Sequence, residues 1–176
     1  EIDRSTFLIV LDPESPNGHT LFADSANNGP CGRALVEELI PELDKRLPLA
    51  AKADARLLRG HSSGGWSTLW LAITYPGTFG ATWSTSPDPV DFRRLELIDI
   101  YQDTNAFTTT FEGKPVDRPS FRKNGQEIMS VRQEVVGERM FGGNQASGQQ
   151  WASWQAVWGP RVEDPATGGR HPAALF

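Results

Sequence analysis

Apolar and polar residues along this chain fall into blocks of different period. The run Phe7-Leu8-Ile9-Val10-Leu11 is continuously apolar, so Ser5 to Leu11 is predicted to be a buried strand, ended by the turn-rich stretch Asp12 to Gly18. From Ala34 to Leu47, Leu35, Leu39, Leu43 and Leu47 share one helical face while Glu37, Glu38, Glu42, Asp44 and Lys45 mostly take others. That spacing predicts an amphipathic helix, which Pro41 is expected to bend or interrupt near Glu37 to Ile40. Ala55 to Arg59 reads as a short buried strand. After it, Trp66, Leu69, Trp70 and Ile73 fall at i, i+3, i+4 and i+7, a helix that Tyr75-Pro76-Gly77 ends. Phe79 to Ser86 predicts another strand, stopped by Pro87-Asp88-Pro89.

This alternation predicts an α/β fold, a mainly parallel sheet with right-handed crossovers and helices on both faces. Beyond Val90 the pattern weakens. Asp91 to Ile100 reads as helical, Asn105 to Ser120 as an irregular excursion, and Glu127 to Met140 carries a loose helical period. The expected organisation is a single partial domain over 1–176, with core strands, helices and a tight turn in 1–90 and a cap-like or inserted region in 91–176. Trp151, Trp154 and Trp158 would share one face of a short helix, which reads first as a packing stripe and second as an aromatic acyl or sugar platform.

The chemistry lies where the Ala55 to Arg59 strand meets the following helix. Gly60-His61-Ser62-Ser63-Gly64 satisfies G-x-S-x-G in a strand-turn-helix context, which predicts a nucleophile elbow presenting Ser62. A serine hydroxyl is a weak nucleophile, so it needs a sharp turn, a neighbouring base and donors for an oxyanion. The Ser63 backbone N–H, at the helix N-terminus, is the expected oxyanion donor. Gly60 and Gly64 are expected to remove Cβ atoms where strand and helix approach, with Gly65 permitting further close packing. The His61 side chain diverges from that of Ser62 in a tight turn, so His61 reads as a supporting or packing residue. His171 is the only histidine after Ser62, and a minimal triad would pair it with Asp88, Asp117 or Asp164. It reads instead as a solvated loop histidine, Asp88 and Asp91 as turn formers, and His19 as a loop residue. Asp24, Ser25, Asn27 and Asn28 line a pocket mouth or organise the backbone of their own loop.

Composition narrows the function classes. A net charge of −5 with scattered basic residues argues against a nucleic-acid partner. The single cysteine, Cys31, excludes an internal disulfide and a cysteine-based zinc site, and no cofactor or metal is expected. The longest apolar run is far short of a membrane span. The chain reads as soluble, cytoplasmic or exported, with a small-molecule substrate and an oligomeric state that the sequence leaves open.

Several separated stretches together resemble the esterase D-like putative esterases, α/β-hydrolases related to the mycolyltransferases. They are the strand Phe7 to Leu11, the loop Phe22 to Pro30, the Glu37 to Pro41 helix, the elbow with Trp66, Tyr75-Pro76 with Phe79, and Ser86 to Pro89. The resemblance implies carboxylic-ester hydrolysis through a seryl acyl-enzyme on Ser62, or acyl transfer by the same nucleophile. In that family the acid and the histidine follow later strands, and the second oxyanion donor precedes the strand that opens this chain. The expectation is therefore an internal fragment of a serine esterase lacking its triad acid and histidine. The competing expectation is an α/β-hydrolase-like binding protein without catalysis.

Overall fold

The computed structural model describes residues 6–142 and 147–172. Four two-residue strands come first, pairing as antiparallel ribbons: β1 (Glu14–Ser15) with β2 (Gly18–His19), and β3 (Asp24–Ser25) with β4 (Gly29–Pro30). The predicted strand at Phe7 to Leu11 does not form, and Ser5 lies outside the described residues. Phe7, Leu8 and Val10 are exposed. An apolar run becomes a buried strand only where neighbours supply a ladder and a cover, and no described segment pairs with this one.

The helix around Pro41 runs from Cys31 to Arg46 in three parts: α1 (Cys31–Ala34), a π-helical turn (Leu35–Leu39) and α2 (Ile40–Arg46). Proline cannot donate to the carbonyl one turn back. The chain accommodates that loss by widening the preceding turn, where the sequence places the interruption. At the N-terminal end Gly32 lies against the ring of Trp70, and a Cβ there would come within 2.4 Å of it.

Next come β5 (Leu57–His61), α3 (Ser63–Thr74) and β6 (Ala81–Thr85). β5 and β6 are parallel, in register from Leu57↔Ala81 to His61↔Thr85, and α3 packs on both. This pair corrects the expectation of a mainly parallel sheet flanked by helices on both faces. Among the described residues it is the one parallel pairing, and the five other sheets are antiparallel pairs. α3 covers the face carrying Leu58, Gly60 and Ser84, while Leu57 and Trp83 on the other face are 71% and 70% exposed.

Beyond β6 three segments differ from what the sequence predicts. Asp91 to Ile100 is not a helix: a 3-10 turn (Phe92–Arg94), capped by the Asp91 side chain, leads into a tight Leu95–Ile98 turn with Glu96 and Leu97 at positive φ. The excursion from Asn105 is an antiparallel hairpin, β7 (Thr108–Phe111) with β8 (Lys114–Asp117). The helical period from Glu127 divides at Ser130, where β10 (Gln126–Ser130), paired with β9 (Pro119–Lys123), ends and α4 (Val131–Arg139) begins. Ser130 and Gln133 cap α4 reciprocally, and Asn124-Gly125, both at positive φ, forms the two-residue turn between β9 and β10.

α5 (Gln150–Trp158) carries the tryptophan stripe, followed by the ribbon of β11 (Arg161–Glu163) with β12 (Arg170–Pro172). Trp151 and Trp154 are buried with Leu21, Trp66, Leu95, Ile98, Val131 and Val157 in one cluster, to which Trp70 and Trp158 add. The packing reading of the stripe therefore holds. The elbow helix is joined to α5 ring by ring, with Trp66 5.4 Å from Trp158 and Trp158 5.4 Å from Trp154. Residues from both 1–90 and 91–176 thus share one core.

Candidate active site

Between β5 and α3 the backbone turns on a single residue. Ser62 has φ +55° and ψ −123°, a conformation that costs a non-glycine residue about 1–3 kcal/mol and persists only where surroundings enforce it. Its N–H donates to Thr85 O at 3.1 Å, and its carbonyl accepts from Trp66 N at 3.0 Å and Asp88 N at 3.2 Å. Both strand ends and the helix therefore hold the turn. Two of the three glycines behave as expected. A Cβ on Gly60 would sit 2.0 Å from Gly64 O, and one on Gly65 would sit 2.9 Å from Thr85 O. Gly64 departs from the expectation, since a Cβ there meets nothing within 4 Å.

Ser62 is exposed at the carboxyl end of β5. Ser63 opens α3, so its N–H belongs to the first turn, whose donors have no intrahelical acceptor and carry the positive end of the helix dipole. The Ser62 hydroxyl donates to Asp88 Oδ1 at 3.2 Å, and the Ser63 hydroxyl to Asp88 Oδ2 at 2.6 Å. Asp88 is 6% exposed, and its Oδ2 also accepts from Trp154 Nε1 at 2.8 Å. The turn-former reading of Asp88 misses this position. Its surroundings come from the elbow and from α5, which no local pattern connects.

The other sequence candidates are placed elsewhere. His61 ends β5 with Nδ1 3.2 Å from Thr85 Oγ1. His171 lies on β12, and its side chain is outside the described part of the chain. His19 is on β2 rather than in a loop, half-buried, with its N–H donating to Ser153 Oγ. Burial lowers its pKa, while the charges of Asp88 and Glu14 oppose that shift, which places the imidazole in the field of the same carboxylate. Asp91 caps its own turn, Asp117 pairs with Arg132, and Asp164 closes a turn through Ala166 N and Thr167 Oγ1.

The loop from Asp24 to Asn28 organises its own backbone, with Asn28 N donating to Ser25 Oγ at 3.0 Å. Asn27 Nδ2 donates to Ala156 O and Gly159 O at the end of α5, and Asn28 Oδ1 accepts from Asn17 Nδ2. Asp24 and Ser25 line an open cleft of about 420 Å³ with Arg33. Ser62 and Asp88 are not part of that cleft's lining, so the hydrogen-bonded elbow, not the cleft, defines the candidate site. Among the described residues no three His, Cys, Asp or Glu side chains could hold a metal ion, and no helix is long and apolar enough to cross a membrane.

A comparison with curated proteins and one with solved structures find no match. A family model described as putative esterase matches residues 22–170, which include the elbow, Asp88 and α5. That family has an α/β-hydrolase-like fold and esterase or hydrolase activity in general. With well over half of its length matched, this chain belongs to the putative esterase family.

Proposed function

We propose that the chain acts as a serine carboxylic-ester hydrolase in which Ser62 is the nucleophile and the Ser63 N–H an oxyanion donor. The observation that carries this reading is the backbone of Ser62, held at φ +55° between a parallel strand and a helix. Strained conformations of this kind cluster at active sites, where the surrounding structure enforces them. Ser62 Oγ attacks the acyl carbon of a small ester, its proton passes to a base, and the carbonyl electron pair moves onto the oxygen beside the Ser63 N–H. Collapse returns the proton from the base to the departing alcohol and leaves the acyl-enzyme, which water hydrolyses to the free acid and Ser62. An alcohol in place of water would make the same chemistry acyl transfer.

A second reading, an α/β-hydrolase-like binding protein, is favoured by one observation: the acceptor that the Ser62 hydroxyl meets is a carboxylate rather than an imidazole. A fluorophosphonate probe with intact-mass detection, run beside a short-chain nitrophenyl ester assay, separates the two. The esterase reading expects one label per chain, and both the label and any ester turnover lost in Ser62→Ala. Absence of labelling on the folded wild-type chain, or unchanged turnover in Ser62→Ala, would overturn it. Loss of a triad base costs up to about 10⁶ in kcat, so labelling is the more sensitive arm.

A further inference from the structure

We propose that Asp88 and Trp154 are positioning residues for Ser62: a buried carboxylate, itself anchored by an indole N–H from α5, fixes the direction of the nucleophile's hydroxyl. This proposal rests on the esterase reading of Ser62 and assigns a role to two residues outside the motif.

Asp88 is held by main chain and side chain together. It follows β6 in the turn Ser86-Pro87-Asp88-Pro89, in which Ser86 has φ +41°. The Asp88 N–H donates to Ser62 O at 3.2 Å, so main chain as well as side chain ties this residue to the elbow. A buried carboxylate needs donors to replace lost water, and here three are supplied, by Ser62 Oγ, Ser63 Oγ and Trp154 Nε1. The short bond from Ser63 and the indole bond both end on Oδ2, which fixes the carboxylate plane and leaves Oδ1 aimed at Ser62 Oγ. A hydroxyl is free to rotate unless an acceptor selects one direction, and a reacting group misdirected by about 1 Å can cost 10²-fold in rate. Trp154 is 1% exposed in the middle of the aromatic cluster, so its indole is a rigid post. Displacement of α5 would move the carboxylate and with it the hydroxyl.

Trp158 supplies a matched control. It stacks on Trp154 with centroids 5.4 Å apart, yet its own buried Nε1 has no hydrogen-bond partner among the described residues. Trp154→Phe and Trp158→Phe remove the same atoms from the same cluster, and only the first removes a bond to Asp88. The experiment measures fluorophosphonate labelling rates and ester kcat and KM for these two variants, for Asp88→Asn and for Trp154→Phe combined with Asp88→Asn, with Ser62→Ala as reference. The expected result is about tenfold slower labelling and lower kcat in Trp154→Phe, with KM unchanged, and less than a twofold effect in Trp158→Phe. In the Asp88→Asn background Trp154→Phe should have no further effect, because the bond it removes acts through the carboxylate. Equal slowing by the two tryptophan variants, or additive slowing in the double variant, would overturn the positioning role while leaving the Ser62 reading intact. Labelling that survives in Ser62→Ala overturns the esterase reading itself and this proposal with it. Asp88→Asn that fails to fold leaves the comparison of the two tryptophan variants as a complete test.

Discussion

Alanine substitutions at Gly60 and Gly64 should have opposite effects on stability, although the two residues lie in one motif. A Cβ on Gly60 would lie 2.0 Å from Gly64 O and 2.2 Å from Gly64 C. Both are backbone atoms in the first turn of α3, so neither swings aside like a side chain. Restoring an ordinary contact requires β5 and α3 to separate by more than 1 Å, against the bonds that join Ser62 to Thr85, Trp66 and Asp88. Overpacking of this kind costs about 3 kcal/mol, the upper end of the usual range. For a chain of this size that lowers the melting temperature by about 6–12 °C. At Gly64 a Cβ meets nothing within 4 Å, and the residue is the second of α3. Alanine there removes the backbone entropy that glycine loses in a helix, a gain of about 0.5–1 kcal/mol. Melting followed by circular dichroism, with urea titration of both variants at neutral pH, makes the comparison. A Gly60→Ala variant as stable as the wild type would refute the close packing of strand and helix at the elbow. A Gly64→Ala variant as damaging as Gly60→Ala would refute the assignment of the steric requirement to Gly60 alone.

Other consequences concern the segment beyond β6 and the surface. Arg118, 6% exposed, donates to Ala106 O, Leu97 O and Thr108 O and pairs with Asp103 at 2.8 Å. Arg118→Met leaves these acceptors without their donor and should cost about 3–5 kcal/mol in urea unfolding, whereas a cost below about 1 kcal/mol would exclude the guanidinium as the pin of this region. Tyr75 Oη donates to Asp24 Oδ2 at 2.8 Å, and burial followed by this bond pushes the phenol pKa up to about 12. The folded phenol holds its proton more tightly than the unfolded one, so its contribution to stability is present below pH 10 and is lost as pH rises from 10 towards 12. Ultraviolet titration of the two tyrosines should show one ionising near pH 12, and Asp24→Asn should bring that midpoint down, while two ordinary midpoints in the wild type would contradict the contact.

Local signals proved legible wherever the physics is local. Strand, turn and helix around Ser62, the interruption before Pro41 and the single-faced tryptophans each follow from neighbours within a few residues. Asn124-Gly125 and the Ser130 capping box were equally local signals, and they locate a hairpin and a helix start inside a segment that periodicity alone treats as one helix. Asp88 shows the opposite case. Written among prolines it looks like any turn aspartate, and its donors come from residues 26, 25 and 66 positions away.

The sequence by itself determined the strand-turn-helix unit around Ser62, because a glycine-flanked serine between a strand and an amphipathic helix has few ways to connect them. It also determined the family, since the separated stretches that resemble it lie largely within the matched residues. Only the tertiary structure decided that Phe7 to Leu11 is uncovered, that Arg118 pins the excursion, and that Asp88 faces Ser62 with Trp154 behind it. Strand pairing and the burial of a charge depend on which distant groups arrive as neighbours, and that is settled by packing rather than by the pattern of any one segment.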